Sequence, residues 1–353
     1  MKQKAFVALV AVQAMASMAA MAQAPGDILF TDEQARSIRL IPTVGVPSTL
    51  HTFADPTTRL AGITQGGDGQ WYVANGPFPV GNPSASSIIR VANLFSAPSP
   101  SIFNSSDPLQ NPHGLVYDAP RNRFLAVNNP IQPMSQPEQP GILAVTSSSM
   151  NFVFTGPGFG APPPSFRNGT YMVPDPNTPN DYIVMAENGG MFNPGTPDGE
   201  ASTMWRLTID PGTGNGTMTL LKDLSTTPFG VLANARGITA IPGTRDFFIT
   251  DVIKDSVYKV TLDNTGVFSN ISLVQSGLNG VESIIFNPYT NKLVLDVSDD
   301  LVSPTIQQMN LDGSGLVVLT TGHARGFAIV PTPASAAALL GAMGLSVARR
   351  RRK

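Results

Sequence analysis

Arg236-Gly237-Ile238-Thr239-Ala240-Ile241-Pro242 and Arg325-Gly326-Phe327-Ala328-Ile329-Val330-Pro331 are two copies of one phrase. Each sets a polar residue and a glycine ahead of an apolar strand that ends at proline. Ala61-Gly62-Ile63-Thr64, His113-Gly114-Leu115-Val116-Tyr117 and Asn168-Gly169-Thr170-Tyr171-Met172 repeat it, and Val281-Glu282-Ser283-Ile284-Ile285-Phe286 is a sixth copy with Glu in the glycine's place. A phrase recurring at this spacing, on the order of 40–50 residues or more, marks a repeat architecture. Turn segments rich in Pro, Asn, Asp and Gly follow at 118–123, 174–181, 242–246 and 287–291; these residues preset turn dihedrals or bond their own backbone.

A second strand comes next in every unit and ends in Asp, Asn or Glu, at 28–32, 71–75, 124–128, 183–187, 247–251 and 293–296. Third strands are expected at 87–91, 204–209, 257–262 and 306–311. Tight turns such as Asp210-Pro211-Gly212, Asp263-Asn264-Thr265-Gly266 and Asp312-Gly313-Ser314-Gly315 then close hairpins into a fourth strand. Four short strands per unit make the blade of a propeller. The first unit lacks its first strand, and the last first-type strand has no unit after it. This offset predicts an all-β, six-bladed β-propeller over residues 25–331, closed by the C-terminal strand pairing into the first blade with Ile28 beside Ile329.

The composition agrees. The 353 residues include 33 Gly, 32 Pro and no Cys, with 13% charged. Average usage is about 7% Gly, 5% Pro and 25% charged, so the chain is too punctuated for a helical bundle and too weakly charged for disorder by self-repulsion. Without cysteine there is no disulfide and no thiol chemistry, and stability has to come from a large core.

Both ends read as addresses. Residues 1–24 carry Lys2 and Lys4, an apolar run over 5–21 and small residues around Ala20, Ala22 and Ala24, the pattern of a signal helix removed by signal peptidase. Residues 332–353 place Pro333, an apolar stretch over 334–348 and the cluster Arg349 to Lys353 in order. This tail resembles the PEP-CTERM sorting signal of Gram-negative bacteria, with Thr332 where the family has Glu. The resemblance implies a sorting helix, transient membrane association, processing by an exosortase-type enzyme, and delivery to the cell surface or extracellular matrix. With both ends removed, the remainder keeps all 24 acidic residues and loses seven basic ones, so it offers no electrostatic footprint for nucleic acid.

The repeat grammar over residues 26–331 resembles the NHL, YVTN and gluconolactonase-like propellers. Connections between second and third strands are long at 76–86, 130–140 and 188–202, and links between blades are long at 104–112, 156–167 and 225–235. Both classes emerge on one rim, and variable loops on a rigid scaffold are where binding usually sits. Two polar rings are expected at the channel mouth on that face. His113, Asn168, Arg236, Glu282 and Arg325 form the first. Asp32, Asn75, Asn128, Glu187, Asp251 and Asp296 form the second.

Two functions follow. The first is a non-catalytic binding module without a cofactor, whose rim takes a glycan, peptide or protein; Arg236 and Arg325 then pair with Glu282 and Asp251. The alternative is a metal-dependent, lactonase-like hydrolase. There the gluconolactonase resemblance implies a divalent cation such as Ca²⁺ held by Glu282, Asn168 and Asp251. No HExxH, G-x-S-x-G or P-loop is present, so no nucleophile motif is available to either reading.

Overall fold

The computed structural model describes residues 24–76, 86–129, 140–157, 164, 166, 168–187, 201–298 and 303–332. Among these described residues, twenty-four strands form six four-stranded antiparallel sheets. Five blades are consecutive antiparallel hairpins, over 60–104, 112–155, 169–223, 235–275 and 281–321. The remaining blade is composite. Strand β24 (Ala324–Ile329) pairs with β1 (Ile28–Asp32), followed by β2 (Ser37–Ile41) and β3 (Ser48–Thr52). The register sets Ile28 opposite Ile329 and Phe30 opposite Phe327, and reciprocal bonds between Gly26, Asp27 and Val330 extend the seam. The ring therefore closes as the offset predicted. Among the described residues the only helix is a single 3₁₀ turn, Ala119–Arg121; the expected signal and sorting helices lie outside the described residues.

The burial of each strand follows from its place in a blade. Second strands such as Ile28–Asp32, Trp71–Asn75 and Asp181–Ala186 are buried along their whole length, because a neighbouring blade covers each face. This is why they read as unbroken apolar runs rather than alternating ones. Outermost strands such as Ser48–Thr52 are exposed or half-buried throughout. There is no single central core. Six apolar clusters form instead, one between each pair of neighbouring blades. The cluster sealing the last blade to the composite one joins Val294 and Ile306 to Ile28, Phe30 and Ile41.

The six innermost strands share one irregularity. Each skips a residue in its pairing with the second strand, between Leu60 and Ile63, Pro112 and Leu115, Gly169 and Met172, Ala235 and Ile238, and Val281 and Ile284, and beside Ala324 in the composite blade. Such bulges twist a strand and redirect its side chains. Here they sit at the channel mouth and set which residues face it.

Candidate functional site

The shared bulge puts the innermost strands in a common frame. Residues paired at its base are Leu60, Pro112, Gly169, Ala235, Val281 and Ala324. The next position is therefore Ala61, His113, Thr170, Arg236, Glu282 and Arg325, and the one after holds Gly62, Gly114, Tyr171, Gly237, Ser283 and Gly326. Asn168 does not belong with His113 and Arg236, as the sequence phrase suggested. Gly169 takes the place of Ala235, so the blade reads two residues out of step. The glycine position is instead Tyr171, whose hydroxyl reaches across the channel to donate to the Arg325 carbonyl at 2.6 Å and meets Ser283 Oγ at 3.0 Å.

The second ring divides in the same way. Asp32, Asn75, Asn128 and Asp251 all pair opposite the base of the bulge. Three of their side chains accept backbone N–H groups from the segment entering their own blade: Asn75 from Arg59 at 3.0 Å, Asn128 from Gln110 at 2.6 Å, and Asp251 from Asn234 at 3.3 Å. Asp32 accepts from Ala35 and holds Arg39 at 3.0 Å. These residues order loops. Asp251 spends its other oxygen on Lys254 N at 2.8 Å, so the pairing expected between it and an arginine is not formed.

Glu187 and Asp296 fall one residue away from that frame, Glu187 beyond Ala186 and Asp296 before Val297. In a strand a one-residue step turns a side chain to the opposite face, so both carboxylates look toward the following blade. Glu187 takes Arg236 Nε at 2.8 Å. Asp296 Oδ1 accepts Ala324 N at 3.0 Å, from the strand that closes the ring.

A continuous ion-pair chain results. Arg236 lies between Glu187 and Glu282. Arg325 bridges Glu282 to Glu33, and Arg59 also pairs with Glu33. Burial acts to raise the Glu282 and Glu33 carboxyls, but the arginines outweigh it and hold both below the usual carboxylate range. Glu282 turns its other oxygen to His323, whose Nε2 stands 3.2 Å from Glu282 Oε2 and 3.5 Å from Asp296 Oδ2. Burial pushes Asp296 up to about 8. His323 is also raised, because its bond to Glu282 and the Asp296 charge outweigh burial. His113 is the opposite case: burial, then Arg325, Arg59 and Arg236, depress it to about 3, leaving a neutral ring that accepts from Asn111 Nδ2 at 3.0 Å.

Glu33, Arg59 and His323 were not singled out in the sequence. The one available signal was positional, since Glu33 follows Asp32 as Glu187 follows Ala186. Glu282, Asp296 and His323 form the group whose ligand-type atoms all lie within 4.8 Å of one another among the described residues. Asp251 is not part of it, and Asn168 Oδ1 is buried without a hydrogen-bond partner. The long second-to-third connections expected on the rim fall almost entirely outside the described residues.

No known protein family matches the sequence, and no curated protein matches it either. Solved structures are similar in fold. A chain of a nidogen/laminin complex superposes with a TM-score of 0.60 at 14% identity, covering 86% of this chain and 97% of that one. A putative gluconolactonase gives 0.54 at 9% identity, covering 85% and 89%. A putative 6-phosphogluconolactonase from Bacteroides uniformis gives 0.52 at 13% identity, covering 86% of each.

Proposed function

We propose that the protein is an exported, non-catalytic β-propeller that binds a glycan, peptide or neighbouring protein on the rim bearing its long connections. One observation carries this reading: the charges of the channel mouth are consumed by one another. Arg59, Arg236 and Arg325 are all committed to Glu33, Glu187 and Glu282, which leaves none of these three guanidiniums free to hold an anionic substrate in place. Tyr171 reaching across the mouth narrows it further. The fold neighbour from a nidogen/laminin complex supports the class, since a propeller of this build occurs in a protein–protein assembly. The resemblance of residues 332–353 to a sorting signal supports a surface or matrix location.

A lactonase-like hydrolase is the second reading, supported by the putative gluconolactonase neighbours and by Asp296 Oδ2, a buried carboxylate oxygen without a hydrogen-bond partner. Against it stands accessibility. A catalytic metal keeps an open position for substrate or water, whereas Glu282, Asp296 and His323 are 4%, 0% and 1% exposed. Parallel assays separate the two. The purified chain is applied to glycan and peptide arrays, and incubated with sugar lactones in the presence of Ca²⁺, Mn²⁺ or Zn²⁺. Saturable array binding without turnover is expected; turnover that Glu282→Gln abolishes would replace the binding reading with the hydrolytic one.

A further inference from the structure

We propose that Glu282, Asp296 and His323 form a buried site for one divalent cation of the zinc class, which locks the seam where the closing strand meets the last blade. The inference does not depend on what the rim binds.

Donor spacing comes first. Ligands at about 2.1 Å in tetrahedral arrangement around Zn²⁺ stand about 3.4 Å from one another. His323 Nε2 is 3.2 Å from Glu282 Oε2 and 3.5 Å from Asp296 Oδ2. Both arginines bonded to Glu282 use Oε1, so Oε2 stays available, and Asp296 Oδ2 has no hydrogen-bond partner at all. One imidazole nitrogen and two carboxylate oxygens suit a borderline divalent ion.

Charge points the same way. Glu33, Glu187 and Glu282 are matched by Arg59, Arg236 and Arg325. Asp296 is left with His323 alone opposite it, fully buried. A buried carboxyl with one imidazole as its only basic neighbour is costly to ionise, and a cation between these three groups lowers that cost. The third observation is the far side of the imidazole. A metal-bound histidine commonly donates its other nitrogen to a carboxylate, which fixes the ring. His323 Nδ1 is buried without a hydrogen-bond partner and faces Glu33 Oε2 at 3.6 Å.

The site would join three parts of the ring. Glu282 and Asp296 belong to the last blade, and His323 immediately precedes β24. The His323 carbonyl accepts Glu33 N of the first blade at 3.0 Å.

The test uses the full chain stripped with EDTA and titrated with ZnSO₄ against a chromophoric chelator, with thermal unfolding followed in parallel. One equivalent should bind and raise the melting temperature. Asp296→Asn keeps an acceptor for Ala324 N but loses the anionic donor, and it should lose at least about tenfold in affinity, as should His323→Gln. Glu33→Gln, acting through His323, should weaken binding by about 10–100-fold, while Asp251→Asn should bind as the wild type does. Less than a tenth of an equivalent bound by the wild type overturns the site. So does undiminished binding by both Asp296→Asn and His323→Gln, each checked for native near-UV circular dichroism, because the ion would then be adventitious.

Discussion

Gly326 lies so close to Ala61 that a Cβ placed on it would stand 2.5 Å from the Ala61 carbonyl oxygen. The same carbonyl accepts the Thr31 hydroxyl at 2.7 Å, so it cannot retreat without breaking that bond. Gly62, Gly114 and Gly237 meet the backbone of the next innermost strand in the same manner, at 2.6 to 3.0 Å. The recurrent glycine is thus an inter-blade contact at the narrowest radius of the ring. Gly326→Ala and Gly237→Ala should each cost about 1–3 kcal/mol, as overpacking does. Urea unfolding gives the number, and wild-type midpoints for both variants would refute the close approach.

Glu282→Ala removes one of two carboxylate partners from each of two buried guanidiniums, Arg236, which keeps Glu187, and Arg325, which keeps Glu33. Removing one partner of a buried pair costs about 3–5 kcal/mol, and the loss here should reach at least the lower figure. Denaturant unfolding at neutral pH in EDTA checks it without interference from a bound ion.

Deleting residues 323–353 removes β24 and the seam, and should leave the chain without a cooperative thermal transition. Deleting 333–353 retains β24 and the contact between Thr332 and the Tyr289 hydroxyl, and should melt within a few degrees of the full chain. Calorimetry on the two truncations compares them directly; indistinguishable transitions would contradict closure by the C-terminal strand.

The two rings facing each other across that seam should not weigh equally. Phe30 is fully buried in the second strand, whereas Phe327, on the innermost edge strand of the blade, is only partly so. Phe30→Ala is expected to cost about 3–5 kcal/mol, and Phe327→Ala distinctly less. The reverse order in equilibrium unfolding would argue against the packing at this interface.

His113 gives the pH dependence. Its folded-state value of about 3 lies below the ordinary value of about 6.5. Between these limits the unfolded chain binds a proton that the folded chain excludes, so this residue lowers stability as pH falls. His113→Gln removes that contribution. The stability of the variant relative to wild type should therefore improve between pH 7 and pH 4.5, and parallel curves over that range would show the imidazole to be solvated.

Much of the fold was legible because its determinants are local. Turn residues such as Asn122 and Asn291, both at positive φ, mark the hairpins wherever they occur. The fully apolar second strands signal coverage on both faces. Asn168 shows where this kind of reading stops. It precedes a glycine as His113 and Arg236 do, yet strand pairing places Thr170 in their position, because the position of a residue in a ladder is fixed by its partner and not by its neighbour in the chain.

The sequence alone determined the number of blades, the strand order within them and the joining of the two ends, since repeated turn chemistry and apolar patterning act over a few residues and need no distant partner. Tertiary structure decided which charges meet. Glu33 and Arg325 are 292 residues apart in the chain, and Asp296 faces His323 instead of capping a loop like Asp251. The cause is the two-residue period of a β-strand: one step of register carries a carboxylate from one face of a blade to the other.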